Sequence, residues 1–199
     1  MQSRRTIIFI IIVLAAGIAL IAGTMAYRNA GTWLIAGDPL PPRVDILFSF
    51  GGEWAREQYV RELAARYPAA TVVVSTPGKS RFLRKARESG LDSARFVIVD
   101  TCSSTLSEIR FLGAFVKNCR GAAPVAGLVS GPYHMRRIRI IVGREWRRDT
   151  PAKPCYLPVP LERYGKTADD YRHWWRTADL RHLVTIELGK IAAYLAVRE

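Results

Sequence analysis

The chain has 199 residues, enough for one well-cored domain with a remainder at one end. Thirty Lys and Arg against 17 Asp and Glu give a net charge of +13. That balance attracts phosphates, whether in nucleic acid, lipid headgroups or small anionic substrates, and the N-terminus argues against the first.

Ile7–Ala26 is twenty residues without a charge. At roughly 1.5 Å per residue it spans about 30 Å, the hydrocarbon thickness of a bilayer. Arg4 and Arg5 precede the run and Arg28 alone closely follows it, which keeps the N-terminus in the cytoplasm and sends the rest outside. A cleaved signal peptide and a buried core helix are the rival readings; the run exceeds the usual 7–15 residues of a signal core. The expected organisation is a cytoplasmic N-terminus and signal-anchor helix over 1–28, a linker over 29–43, and an extracytoplasmic (periplasmic) domain over 44–199 on the inner or plasma membrane. The membrane is thus the first partner, and nucleic acid is not expected.

Gly37–Pro42 (GDPLPP) is a stiff connector. Beyond it, short β-branched and aromatic runs at Val44–Phe50, Thr71–Ser75, Phe96–Val99, Val125–Ser130 and Cys155–Val159 read as strands. Helical spacing fills 54–67, 79–89, 104–118 and 133–147. A last helical segment covers 169–197, with a break near Thr177. The alternation predicts an α/β, Rossmann-like three-layer domain on a mainly parallel five-stranded sheet. Pro151–Pro160 makes the fifth strand an edge.

Ligands bind beyond the carboxyl ends of such strands. The candidate turns are therefore Gly51-Gly52-Glu53, Ser75–Ser80, Asp100–Thr105 and Ser130–His134. All are rich in Gly, Ser or Thr, which suits an anion held by backbone N–H groups. Cys119 and Cys155 fall at the opposite edge, so a disulfide, if one forms, joins that pair; the alternative is three thiols acting as small apolar residues.

Four stretches together resemble a known family. They are WLIAGDPLPPRVDILFSFGG (Trp33–Gly52), VSGPYHMRRI (Val129–Ile138), Thr105 with Glu108, and Glu187 with Lys190. They look like the entry segment, the aromatic-His-Met-x-Arg signature, the Thr-x-x-Glu helix start and the C-terminal Glu-x-x-Lys of the SanA/ElyC/YdcF-type envelope family, a domain of unknown function. The resemblance spans roughly 33–195 and implies a role in envelope or cell-wall biogenesis. STPGKS after the second strand and Arg136 before the signature Arg depart from the family pattern, so the fold carries over more securely than any substrate.

At the candidate ligand edge, His134 begins a helix beside Arg136 and Arg137. Helix-end potential and both cations disfavour imidazolium, leaving a neutral ring fit for general acid or base work. Arg137 offers a planar fork for phosphate or carboxylate oxygens. Gly51 and Gly52 admit close backbone approach; Arg56, Ser75, Thr105, Glu108, Ser130 and Tyr133 complete the ligand-binding set. Thr105 doubles as a candidate helix cap. Glu108 and Glu187 are the acidic candidates, each placed either to orient His134 or to pair with an arginine, a structural ion pair being the favoured role for Glu187; Asp45 is structural. Arg136, Arg139, Arg144, Arg147 and Arg148 read as a solvated basic face. Tyr171, Trp174 and Trp175 read as core, interface anchors or a sugar platform.

The sequence has no zinc-spaced cluster, P-loop, Gly-x-Ser-x-Gly elbow or GxGxxG loop, and it names no cofactor. The expected second partner is an anionic small molecule or lipid-linked envelope precursor, bound and, with His134 as acid or base, hydrolysed or transferred. Alternatives are a non-catalytic sensor or scaffold of the cell-wall machinery, and a nucleotide-type binding module.

Overall fold

The computed structural model describes residues 2–119, 123–146 and 150–197. In chain order the helices are α1 (Gln2–Leu34), α2 (Trp54–Arg66), α3 (Lys79–Glu88), α4 (Thr105–Lys117), α5 (Met135–Glu145), α6 (Ala168–Arg172) and α7 (Ala178–Ala196). The strands are β1 (Ile46–Ser49), β2 (Thr71–Ser75), β3 (Phe96–Val99), β4 (Val125–Ser130) and β5 (Lys153–Pro158).

All pairings are parallel, in the order β3-β2-β1-β4-β5. Period-2 alternation sends Leu47, Val72, Val74, Val129 and Leu157 to one face, where Val60, Leu63 and Phe82 of α2 and α3 cover them. Ile46, Phe48, Val73 and Leu128 take the other face, under Ile109, Leu112, Ile138 and Ile141 of α4 and α5. The result is the expected three-layer α/β domain. The strand order reverses between β1 and β4, so the crevice a ligand needs opens beyond their carboxyl ends.

The prolines do what their positions demand. Pro154 and Pro158 lie in β5, the edge strand. Asp38 covers its outer side, donating its backbone N–H to Tyr156 O at 2.8 Å and accepting the Tyr156 N–H on Oδ2 at 2.9 Å. Asp45 is structural, its Oδ2 accepting the Val125 N–H at 2.9 Å.

α1 is the one helix among the described residues long and apolar enough to cross a membrane. It differs from the expected boundary at residue 28 by running unbroken to Leu34. Its last turns are not linker: Ala30 and Leu34 are buried in an apolar cluster with Tyr133, Tyr171, Trp174, Leu180, Val184 and Ile191. The apolar stripe of α7 needs a cover, and the end of α1 supplies it.

All three cysteines are free. Cys119 ends α4 exposed, while Cys155 is buried in β5 against Pro39, so the alternative of separate thiols holds and the Cys119–Cys155 disulfide is not formed. The solvated basic face holds for Arg144, which is exposed, and is corrected for Arg136 and Arg139, which are engaged. Arg136 stacks on Trp33 and donates to Trp33 O at 2.8 Å; Arg139 stacks on Tyr156 and reaches Asp38 Oδ1 at 2.6 Å; Arg144 lies over Tyr194. Arg stems and guanidinium planes cover aromatic rings here, because a planar, weakly hydrated cation gains more on a ring than in water. Arg147 and Arg148 lie outside the described residues.

Candidate functional site

A cavity of about 290 Å³ opens at the carboxyl edge between β1 and β4. It is lined by Phe50, Gly51, Gly52, Glu53, Arg56, Thr105, Ser130, His134, Arg137 and Lys190. Among the expected residues, Gly51, Gly52, Arg56, Thr105, Ser130, His134 and Arg137 meet here. Ser75, Glu108 and Tyr133 stand behind it.

The floor is the Gly51-Gly52 turn. A Cβ on Gly51 would sit 3.1 Å from Ser75 O and 3.4 Å from Glu108 Oε1, and Gly52 has φ of 130°, a conformation other residues resist. The turn is pinned from both sides: Glu108 Oε1 accepts the Gly51 N–H at 2.8 Å, and Arg56 Nη1 donates to Gly51 O. Arg56 is 5 % exposed, so it supplies charge to the cavity wall rather than to solvent. Burial pushes the Glu108 carboxyl up, with the Gly51 N–H, Ser75, Arg56 and Arg137 opposing it only in part.

The catalytic candidate is held by a network that crosses three helices. The 3-10 turn Pro132–His134 delivers the ring from β4 into α5. His134 Nδ1 lies 3.0 Å from Glu187 Oε2. The same carboxylate accepts from Arg137 Nε at 2.8 Å and from Lys190 Nζ at 3.1 Å. Arg137 Nη1 reaches Thr105 Oγ1 at 2.6 Å. Ser104, not Thr105, caps α4, in a reciprocal box with Ser107, which leaves the Thr105 hydroxyl to Arg137.

Glu187 is 1 % exposed. Burial alone would raise its pKa, but His134 and Arg137 outweigh that and hold the carboxyl down to about 2. An ionised carboxylate only accepts, so the His134 proton belongs on Nδ1 and Nε2 carries the ring's lone pair. Arg137 Nη2, 3.2 Å from Nδ1, is then a neighbouring cation and not a donor to it. Burial, then Arg56 and Arg137, lower the His134 pKa, while Glu187 works the other way. The direction matches the sequence expectation; the cause differs, because Arg136 has turned away to Trp33.

Tyr133 packs edge-on against the His134 ring at 4.3 Å and donates its hydroxyl to Glu53 Oε1. Burial works against the Glu53 charge, yet Tyr133, Tyr164, Arg56 and His134 together hold its carboxyl below the usual range.

Three lining residues, Phe50, Glu53 and Lys190, lie outside the sequence-based ligand-binding set. Lys190 sits one turn beyond Glu187, a pair that the family resemblance names without a ligand role. Glu53 directly follows the glycines at the end of β1, the position that topology marks. Among the described residues no group of three or more His, Cys, Asp and Glu is placed to hold a metal ion. No protein-family model, curated protein or solved structure matches this chain.

Proposed function

We propose that this is a single-pass membrane protein of the SanA/ElyC/YdcF type, its domain on the extracytoplasmic side. In this reading it acts in envelope or cell-wall biogenesis by binding a phosphorylated glycan or lipid-carrier metabolite. The observation that carries the reading is the His134–Glu187 contact at 3.0 Å in a cavity whose wall includes Arg56, Arg137 and Lys190. Three cations suit phosphate oxygens, and a histidine fixed through Nδ1 has Nε2 free for proton transfer.

The corresponding reaction is phosphoryl hydrolysis or transfer. Nε2 takes the proton of an attacking water or hydroxyl as its oxygen bonds to phosphorus. The bond from phosphorus to the leaving oxygen breaks, and the same proton passes to that oxygen. The test is phosphate release from lipid-linked and nucleotide-linked substrates by wild type and His134→Ala. A loss of roughly 100- to 10,000-fold in the variant is expected, as for other general acid–base residues. Equal release by both proteins, or none from any phosphorylated compound, overturns the enzyme reading.

One observation favours a non-catalytic sensor or scaffold instead. Arg137 already donates to Thr105 and Glu187, which suits a rigid recognition surface. Under that reading Arg137→Ala abolishes ligand binding and His134→Gln is tolerated.

A further inference from the structure

α1 leaves the domain through an aromatic cluster that the site does not use. Tyr27 is the first residue after the uncharged run Ile7–Ala26, and there the domain meets the helix. The Tyr27 ring lies 4.6 Å from Trp174 and 6.3 Å from Trp175. Trp174 Nε1 donates to Tyr27 O at 3.0 Å. The Arg28 guanidinium stands 5.4 Å above the Trp175 ring. Trp174 is buried by these contacts, whereas Trp175 is half-buried and Arg172 and Arg176 are exposed.

The helix fixes the height of this cluster. If Ile7–Ala26 fills the hydrocarbon core at about 1.5 Å per residue, Tyr27 and Arg28 stand at its outer boundary. Trp174 and Trp175 stand beside them. Ring systems with one polar atom prefer that layer, and arginine stems lie along apolar surface while their heads reach phosphates.

Charge sorts the same way. The three aspartates of the segment are engaged within it: Asp170 closes the capping box of α6 with the N-cap Thr167, Asp169 lies 3.2 Å from His173 Nδ1 and 4.0 Å from Arg172 Nη1, and Asp179 pairs with Lys166. Among the described residues, Arg28, Arg176 and Arg181 face no carboxylate partner of this kind, Arg181 donating instead to Trp175 O at 2.8 Å.

We infer that the segment from Arg172 at the end of α6 to Arg176, with Tyr27 and Arg28, is a collar that rests in the headgroup layer of the membrane α1 enters. Trp175 inserts and the arginines meet lipid phosphates. The domain is thereby seated on the bilayer in one orientation instead of swinging on a tether.

The test uses the full chain in vesicles of phosphatidylcholine and phosphatidylglycerol carrying bromines near the headgroup end of the acyl chains. Tryptophan emission should be quenched, and Trp175→Phe should remove more than half of that quenching. Trp54, exposed at the start of α2 on the cavity side, is the control, and Trp54→Phe should leave the quenching unchanged. No quenching in wild type overturns the collar. So does quenching that survives Trp175→Phe, or that disappears with Trp54→Phe, which would mean the domain lies on its cavity side.

Discussion

The cavity and the seat of α1 meet at one side chain, yet they are built by opposite means. The cavity wall is made of charges that answer one another across elements far apart in sequence: Glu187 holds His134 and Arg137, from α7 to the start of α5. The seat of α1 is made of size and apolar surface, with Leu34 fully buried against α7 and the Tyr171 and Trp174 rings. Tyr133 belongs to both, its ring in the apolar cluster and its hydroxyl on Glu53. The difference teaches that the N-terminal helix is more than a tether. It buttresses the turn that carries His134, so damage on the apolar side should be felt on the charged side.

Breaking the charged side should have the largest effect. Glu187→Ala leaves His134, Arg137 and Lys190 crowded without their shared anion, a loss expected to cost about 3–5 kcal/mol. Denaturant unfolding of the full chain in detergent would read it. The wild type should lose the same interaction in acid. Glu187 has its folded pKa depressed from 4.5 to about 2, so its contribution is present above pH 4.5 and lost as pH falls toward 2, amounting to about 3 kcal/mol. His134 is also depressed, from 6.5. The unfolded chain therefore takes up its proton first, and stability begins to fall below pH 6.5. Glu108 runs the other way: its raised pKa favours the folded state in acid and removes that advantage as pH rises through 4.5 and above. A stability profile flat between pH 7 and 3 would contradict the network.

Breaking the apolar side comes next. Leu34 is fully buried, and Leu34→Ala should cost about 3 kcal/mol through lost transfer energy and the cavity left behind. If the helix supports the histidine turn, then under the proposed phosphate-binding reading the affinity measured by calorimetry should fall with stability. Unchanged affinity at reduced stability would separate the two regions and refute the coupling.

The same contrast explains what the sequence made legible. Strands, helices, the break at Thr177 and the parallel sheet all followed from periodicity, because alternation at two and at three to four residues reports burial directly. The site was half legible. Topology named the glycines, Ser130, His134 and Arg137, since a parallel sheet delivers the residues after its strands to one edge. The sequence offered Glu187 as a partner for His134 or an arginine. It did not reveal that Glu187 would hold both while Arg136, the neighbour of Arg137, stacked on Trp33, because adjacent positions on a helix point about 100° apart and the partners lie fifty and a hundred residues away. The end of α1 was misjudged for a related reason: a uniformly apolar helix has no polar face to betray where packing against the domain begins.

The smallest expected effect is also the one that separates the regions most cleanly. Tyr133→Phe keeps the ring against His134, Ala30 and Leu34 and removes only the hydroxyl that serves Glu53. The apolar seat should therefore survive, and the loss should be that of one hydrogen bond to a charged group, roughly 1.5–3 kcal/mol before solvent screening and toward the lower end because Glu53 is partly exposed. Without that donor the Glu53 carboxyl should titrate higher, since its largest opposition to burial is gone. Wild type is favoured by that depressed carboxyl only above about pH 4.5, so the stability gap between Tyr133→Phe and wild type should narrow as pH falls through that value. A gap that stays constant with pH would mean that the ring, not the hydroxyl, is what the site needs from Tyr133.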